Sequence, residues 1–194
     1  MSKETAQIAS RLLSQVSAGD AVMFCGIDDN RGLGVCLRSV ATAMSSLGNQ
    51  RVLIVDFQTG DRSVSGAVGG SGVSGVSDLL IGNTDLATAI QWHRDEAVGI
   101  LPAGREDHLL ADTALLPGSA MGLIESLKDK SDLTLIFGPP FRLSINSDRM
   151  ARATDGVVLG VKARRNKRPE IADVMDGLEQ LEVPLLGAVL IERR

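Results

Sequence analysis

The chain has 194 residues, with 20 Lys and Arg against 24 Asp and Glu for a formal charge of −4, 44% hydrophobic residues, two cysteines and no tyrosine. That length can bury its own core without disulfides or metal, and the acidic balance with few aromatic residues argues against a nucleic-acid binder. No apolar run approaches the roughly 20 residues of a membrane-spanning helix, the start MSKETAQIASRLL has no secretory apolar region, and the two thiols, Cys25 and Cys36, fit a reducing cytoplasm.

In chain order, residues 1–19 read as an N-terminal helix and residues 20–194 as the domain proper. Ala21 to Ile27 is a continuous apolar run of strand length, followed by helical spacing over Val35 to Leu47, with Gly48 as the stop. Arg51 to Val55 reads as the next strand. The segment GAVGGSGVSG, residues 66–75, has no period and reads as a flexible surface loop. Val76 to Leu80 and Leu86 to Trp92 are expected as helices, Val98 to Leu101 as a strand and Ala120 to Leu127 as a helix. Leu133 to Phe137, Gly156 to Val161 and Leu185 to Ile191 complete the strands, and Asp148 to Ala153 and Pro169 to Leu181 the helices. Strands too continuously apolar to alternate, interleaved with helices, predict an α/β domain of three layers around a mainly parallel central sheet.

The segment VMFCGIDDNRGLGVCLRSV runs strand, glycine loop, helix, the setting in which backbone N–H groups at a helix N-terminus cradle phosphates. A working loop of that kind reads G-x-x-x-x-G-K-[ST]. Here Gly32 and Gly34 are kept, whereas Asp29 stands at the leading glycine, Val35 at the lysine and Cys36 at the hydroxyl. Valine carries no charge, cysteine is a soft ligand for a cation that prefers hard oxygen, and Asp28 with Asp29 would repel a polyphosphate. Gly32 and Gly34 are read first as a tight strand-to-helix turn, with retained phosphate contact as the alternative.

Further residues carry a resemblance. RVLIVDFQTGDRS, GVSDLLIGNTDLATAIQ, VGILPAGRE and DLTLIFGPPF resemble successive motifs of the cytoplasmic domain of bacterial tyrosine kinases of the capsule and exopolysaccharide type, a branch of the MinD/ParA deviant Walker ATPases. The similarity spans nearly all of residues 20–192 and implies a P-loop NTPase-like fold. It also implies what is missing. Asp56 keeps the first acidic position of its motif, but Gln58 replaces the second, and Phe137 and Gly138 stand where the family has the Walker B aspartate and a threonine. In the first helix the family's E-x-x-R-x-x-R oligomer motif is reduced to Glu4, Gln7 and Ser10.

The resemblance therefore implies a pseudo-kinase or pseudo-ATPase with no catalytic residues and no metal site. Its degenerate nucleotide site would be Gly32, Gly34, Val35, Cys36 and Asp56, with no cofactor required and residual ATP or ADP binding as the open alternative. With no tyrosine and a last strand ending just before Arg194, the family's C-terminal tyrosine cluster is expected to be absent. The implied role is regulatory or scaffolding, in the cytoplasm, on a membrane polysaccharide co-polymerase or an active kinase subunit at the inner membrane. The competing role is a nucleotide-binding switch in positioning or partitioning. In isolation a monomer or a nucleotide-independent homodimer is expected, with no nucleic-acid partner.

Lys162, Arg164, Arg165, Lys167 and Arg168 form a basic run that reads as a solvated face or, functionally, as a surface for an acidic partner or the anionic inner leaflet of a membrane. Arg31 and Arg62 are expected to be solvated or paired with Asp28, Asp29 or Asp61. His93 and His108 have no metal-ligand spacing with the cysteines, and Met44, Met121 and Met175 read as core.

Overall fold

The computed structural model describes residues 2–58, 64, 73–92, 97–105 and 117–192. Helix α1 (Lys3–Leu13) precedes β1 (Ala21–Gly26), α2 (Leu33–Gly48) and β2 (Val52–Asp56). Then come α3 (Val76–Leu80), α4 (Leu86–Ala89), β3 (Gln91–Trp92), β4 (Val98–Leu101), α5 (Pro117–Leu127), β5 (Leu133–Phe137), α6 (Ile145–Arg152), β6 (Gly156–Lys162), α7 (Arg168–Gln180) and β7 (Leu185–Ile191). The strands form one seven-stranded sheet in the order β3-β4-β2-β5-β1-β6-β7. Every neighbouring pair is parallel except β3 with β4.

Two apolar layers explain the continuous strand runs. Ala21, Met23 and Cys25 of β1 face a core shared with Ile124 and Leu127 of α5, Met150 of α6, and Val174 and Leu178 of α7. Val22 and Phe24 face the other way, into a core with Ala9 and Leu12 of α1 and Leu33, Leu37, Val40 and Met44 of α2. A strand covered on both faces has no polar side to alternate with. Burial also pushes the Cys25 thiol up to about 12, which keeps it protonated and inert.

Local chemistry sets the ends of the elements. α2 runs through Gly48, and its left-handed cap is Asn49 at φ 48°, whose N–H donates to the Ser45 carbonyl. Asparagine is one of the few residues that tolerates that conformation. α7 starts at Arg168, one residue before Pro169, and the Lys167 N–H donates to the Glu170 carboxylate at 2.9 Å. The helix expected over Leu86 to Trp92 ends at Ala89, because Ile90 turns extended and Gln91–Trp92 pair antiparallel with β4. The Trp92 ring covers Gly99, where a Cβ would lie 2.8 Å from it, and Arg51 stacks 4.3 Å from its centroid. Met44 is core as expected, but Met121 and Met175 are exposed on α5 and α7, off the stripes that bury Ile124 and Val174. Most of the expected glycine loop of residues 66–75 lies outside the described residues, which take in only its last three, 73–75.

Candidate functional site

The site lies where β1 gives way to α2, at the C-terminal edge of the sheet. β1 sits between β5 and β6, so the chain leaving each of these strands borders the β1–α2 loop. Asn30, 1% exposed, fixes that loop. Its Oδ1 accepts from the Gly26 N–H, and its Nδ2 donates to the Gly138 carbonyl at 2.7 Å. One side-chain amide thus supplies both a donor and an acceptor to buried backbone that has few alternatives.

Gly32 caps α2 in the left-handed region, at φ 85°, where a side chain would strain the backbone. The Leu33 N–H donates to the Asn30 carbonyl at 3.0 Å, and the Cys36 N–H to the Gly32 carbonyl at 3.3 Å. The ground beneath this turn is apolar. A Cβ on Gly34 would lie 3.0 Å from Val64 Cγ2 and 3.4 Å from Phe137 Cζ. Phe137 is fully buried, and Val64 nearly so.

Gly32, Gly34, Val35, Cys36 and Asp56 all lie at this end of the sheet, Gly32 as the cap of α2, the next three in or beside its first turn, and Asp56 at the end of β2. Val35 is 68% exposed. Cys36 is half-buried, and burial raises its thiol above the ordinary value, so that it stays neutral. Asp56 ends β2 in register with Phe137, fully buried, with its Oδ1 accepting from the Gln58 N–H at 2.9 Å. Among the described residues, no group of three or more His, Cys, Asp or Glu gathers to hold a metal ion.

The charged groups do converge, on Asp29. Its Oδ2 lies 2.6 Å from Lys162 Nζ, 2.8 Å from Arg31 Nη2 and 3.5 Å from Arg165 Nη1, and it accepts from Arg31 Nε at 2.8 Å. Oδ1 accepts from the Arg31 N–H at 2.8 Å. Burial opposes the charge on Asp29, but Lys162 and the N–H and guanidinium of Arg31 outweigh it and hold the carboxyl well below the usual carboxylate range. Beside it, Asp28 accepts from Asn166 Nδ2 at 3.1 Å and lies 3.9 Å from Arg165 Nε, while Asn166 Oδ1 accepts from the Lys162 N–H at 2.8 Å.

The basic run is therefore not one uniform solvated face. Lys162 and Arg165 turn onto the aspartates, whereas Arg164, Lys167 and Arg168 form no ion pair among the described residues. Arg31 pairs with Asp29 as expected; Arg62, Asp61, His93 and His108 lie outside the described residues. Sequence reasoning missed Asn30 and the approach of Lys162 to Asp29. The available signal was charge complementarity between DD at 28–29 and the run at 162–168, which became decisive only once β6 was placed beside β1.

No family model matches the chain. It is similar to the tyrosine-protein kinase CpsD of Streptococcus agalactiae, with 28% identity over 166 residues covering 84% of this chain and 71% of the relative. Among solved structures, the kinase domain of the Escherichia coli tyrosine kinase ETK superposes with a TM-score of 0.82 at 21% identity, covering 98% of this chain and 76% of that one. The Pyrococcus furiosus cell division ATPase MinD superposes with a TM-score of 0.66 at 21% identity, covering 89% of this chain and 71% of that one.

Proposed function

From a chain that is homologous to the CpsD tyrosine kinase and has the P-loop fold of MinD-type ATPases, we propose a protein of capsule or exopolysaccharide production that no longer transfers phosphate. It works as a regulatory or scaffolding subunit. Its partner is a membrane polysaccharide co-polymerase or an active kinase of the same family, met at the inner membrane from the cytoplasmic side. No helix among the described residues is long and apolar enough to cross a membrane, so such a partner would supply the recruitment.

The observation that carries this reading is the Phe137 ring, fully buried beneath the first turn of α2 against Gly34. Phosphoryl transfer depends on positioning and on charge stabilisation by a metal and cationic groups. In this chain an apolar ring takes the place of a carboxylate, Val35 offers no ammonium and Cys36 offers a neutral thiol. A magnesium–polyphosphate group does not fit such a donor set, and we derive no step through it. One preorganised donor is commonly worth roughly 3 kcal/mol of barrier, so losing several together supports inactivity. The absence of any tyrosine leaves no residue for autophosphorylation on tyrosine within the sequence.

The test is genetic. A strain lacking the protein loses surface polysaccharide, and a copy carrying Val35→Asp, which places a carboxylate where a nucleotide phosphate would lie, restores it fully. Failure of that copy, expressed at the wild-type level, contradicts a role without nucleotide.

A second reading, a nucleotide-binding switch in positioning or partitioning, draws on the cavity of about 570 Å³ beside the loop, lined by Gly32, Lys162, Arg164, Arg165 and Ile191 among others. A melting shift with ATP or ADP distinguishes it, since a ligand at 100 times its dissociation constant stabilises by roughly 2.7 kcal/mol.

A further inference from the structure

Asp29 is placed as a ligand rather than as a surface charge. Three cations from two separate segments, Arg31 on its own loop and Lys162 and Arg165 at the end of β6 and beyond, converge on one carboxylate oxygen. The side chains of Asp29 and Lys162 are only 9% and 16% exposed, so the pair is built into the structure. Asn166 supports it from behind, tied to Asp28 on one side and to the Lys162 backbone on the other. The cavity of about 570 Å³ opens on the same cations: Arg31, Lys162, Arg164 and Arg165 line it, with Glu192 as the opposing charge on its wall. A cavity of this size accommodates a small organic ligand. Arg164 faces it from a left-handed backbone at φ 62°.

We infer that Arg31, Lys162 and Arg165 form an oxyanion site for phosphate-type ligands that the chain fills in cis with the carboxylate of Asp29. The carboxylate thereby ties the β1–α2 loop to the β6–α7 loop without any bound ligand. A tethered group competes at an effective concentration of millimolar or more, so an external phosphate ester of ordinary affinity is excluded while Asp29 holds its place. Among the described residues, the charges at the cluster and its cavity are Asp28, Asp29 and Glu192 against Arg31, Lys162, Arg164 and Arg165. Removing the Asp29 charge alone leaves two carboxylates against four cations, a surplus that attracts an anion. This inference stands whether or not the chain turns over ATP, and its test contains no nucleotide.

The probe is inorganic pyrophosphate without metal, titrated calorimetrically at constant ionic strength into wild type, Asp29→Asn, and Asp29→Asn combined with Lys162→Gln. Asn keeps the shape of the side chain and removes its charge. Asp29→Asn is expected to bind at least tenfold tighter than wild type, and the double variant to return to within a few fold of wild type. Equal affinity in wild type and Asp29→Asn overturns the inference, as does tight binding that survives loss of Lys162. Should Asp29→Asn fail to fold in chloride, the inference expects millimolar pyrophosphate, but not sodium chloride of equal ionic strength, to restore its far-UV spectrum. A variant that stays unfolded in both contradicts it.

Discussion

At the scale of single residues, the β1–α2 loop is held by two polar side chains that do different work. Asn30 satisfies buried backbone at Gly26 and Gly138. Truncating it orphans both groups, each costing about 1–3 kcal/mol, so Asn30→Ala is expected to lower the melting midpoint by about 4–24 °C, at about 2–4 °C per kcal/mol for a chain of this size. An unchanged midpoint in scanning calorimetry would show that water replaces the amide. Asp29 works through charge. Its folded-state value lies below the unfolded one, so its contribution is fully present above about pH 4, the unfolded aspartate value, and is lost as pH falls from there through the folded value. The stability gap between wild type and Asp29→Asn at low salt is therefore expected to be flat from neutrality down to about pH 5 and to shrink below about pH 4. Urea unfolding at a series of pH values checks this, and a gap that widens on acidification contradicts it.

At the scale of elements, the end of α2 illustrates what a sequence conveys. Gly48 followed by Asn49 offers two residues able to adopt the left-handed cap, and Gly48 reads as the stop; the structure gives that place to Asn49. Asn49→Gly is expected to be nearly neutral and Asn49→Val to cost about 1–2 kcal/mol, since a β-branched side chain resists positive φ; urea midpoints measure both. The other strands were legible because each is apolar on both faces, whereas β3 was not. Trp92 continues the spacing of Leu86 and Ala89, but Gln91 and Trp92 pair antiparallel with Ile100 and Gly99 of β4, and the Trp92 ring packs on Gly99 and the Arg51 guanidinium, contacts that the local spacing does not reveal. The same limit hid the charge cluster. Gly32, Gly34, Val35 and Cys36 could be placed at one sheet edge from local order of strand, loop and helix, and Phe137 only through the family resemblance, but the pairing of Lys162 with Asp29 depends on β6 lying beside β1, which no local pattern encodes. Val35, exposed at the start of α2, tests the local reading. Val35→Lys is expected to change stability by no more than about 0.5 kcal/mol and to leave ATP turnover at background, because Phe137 remains beneath the loop; measurable turnover in this single variant would show that only the lysine was lacking.

At the scale of the whole molecule, the sheet and its two apolar layers share the fold of the ETK kinase domain and of MinD, while the β1–α2 loop is tied to the β6–α7 loop by ion pairs of the chain's own groups. On this account the assembly state does not respond to ATP. Glu4, Gln7 and Ser10 are exposed on α1 without the arginines that the resemblance associates with ring formation, so light scattering across protein concentrations should give a monomer or a dimer, identical with and without ATP and magnesium. The central claim is that the protein does not use ATP, and it is tested most directly by phosphate release from ATP and magnesium by purified wild type beside Val35→Asp. The account predicts equal background rates that do not scale with protein concentration. Release by wild type that is proportional to protein and exceeds that of Val35→Asp would contradict it.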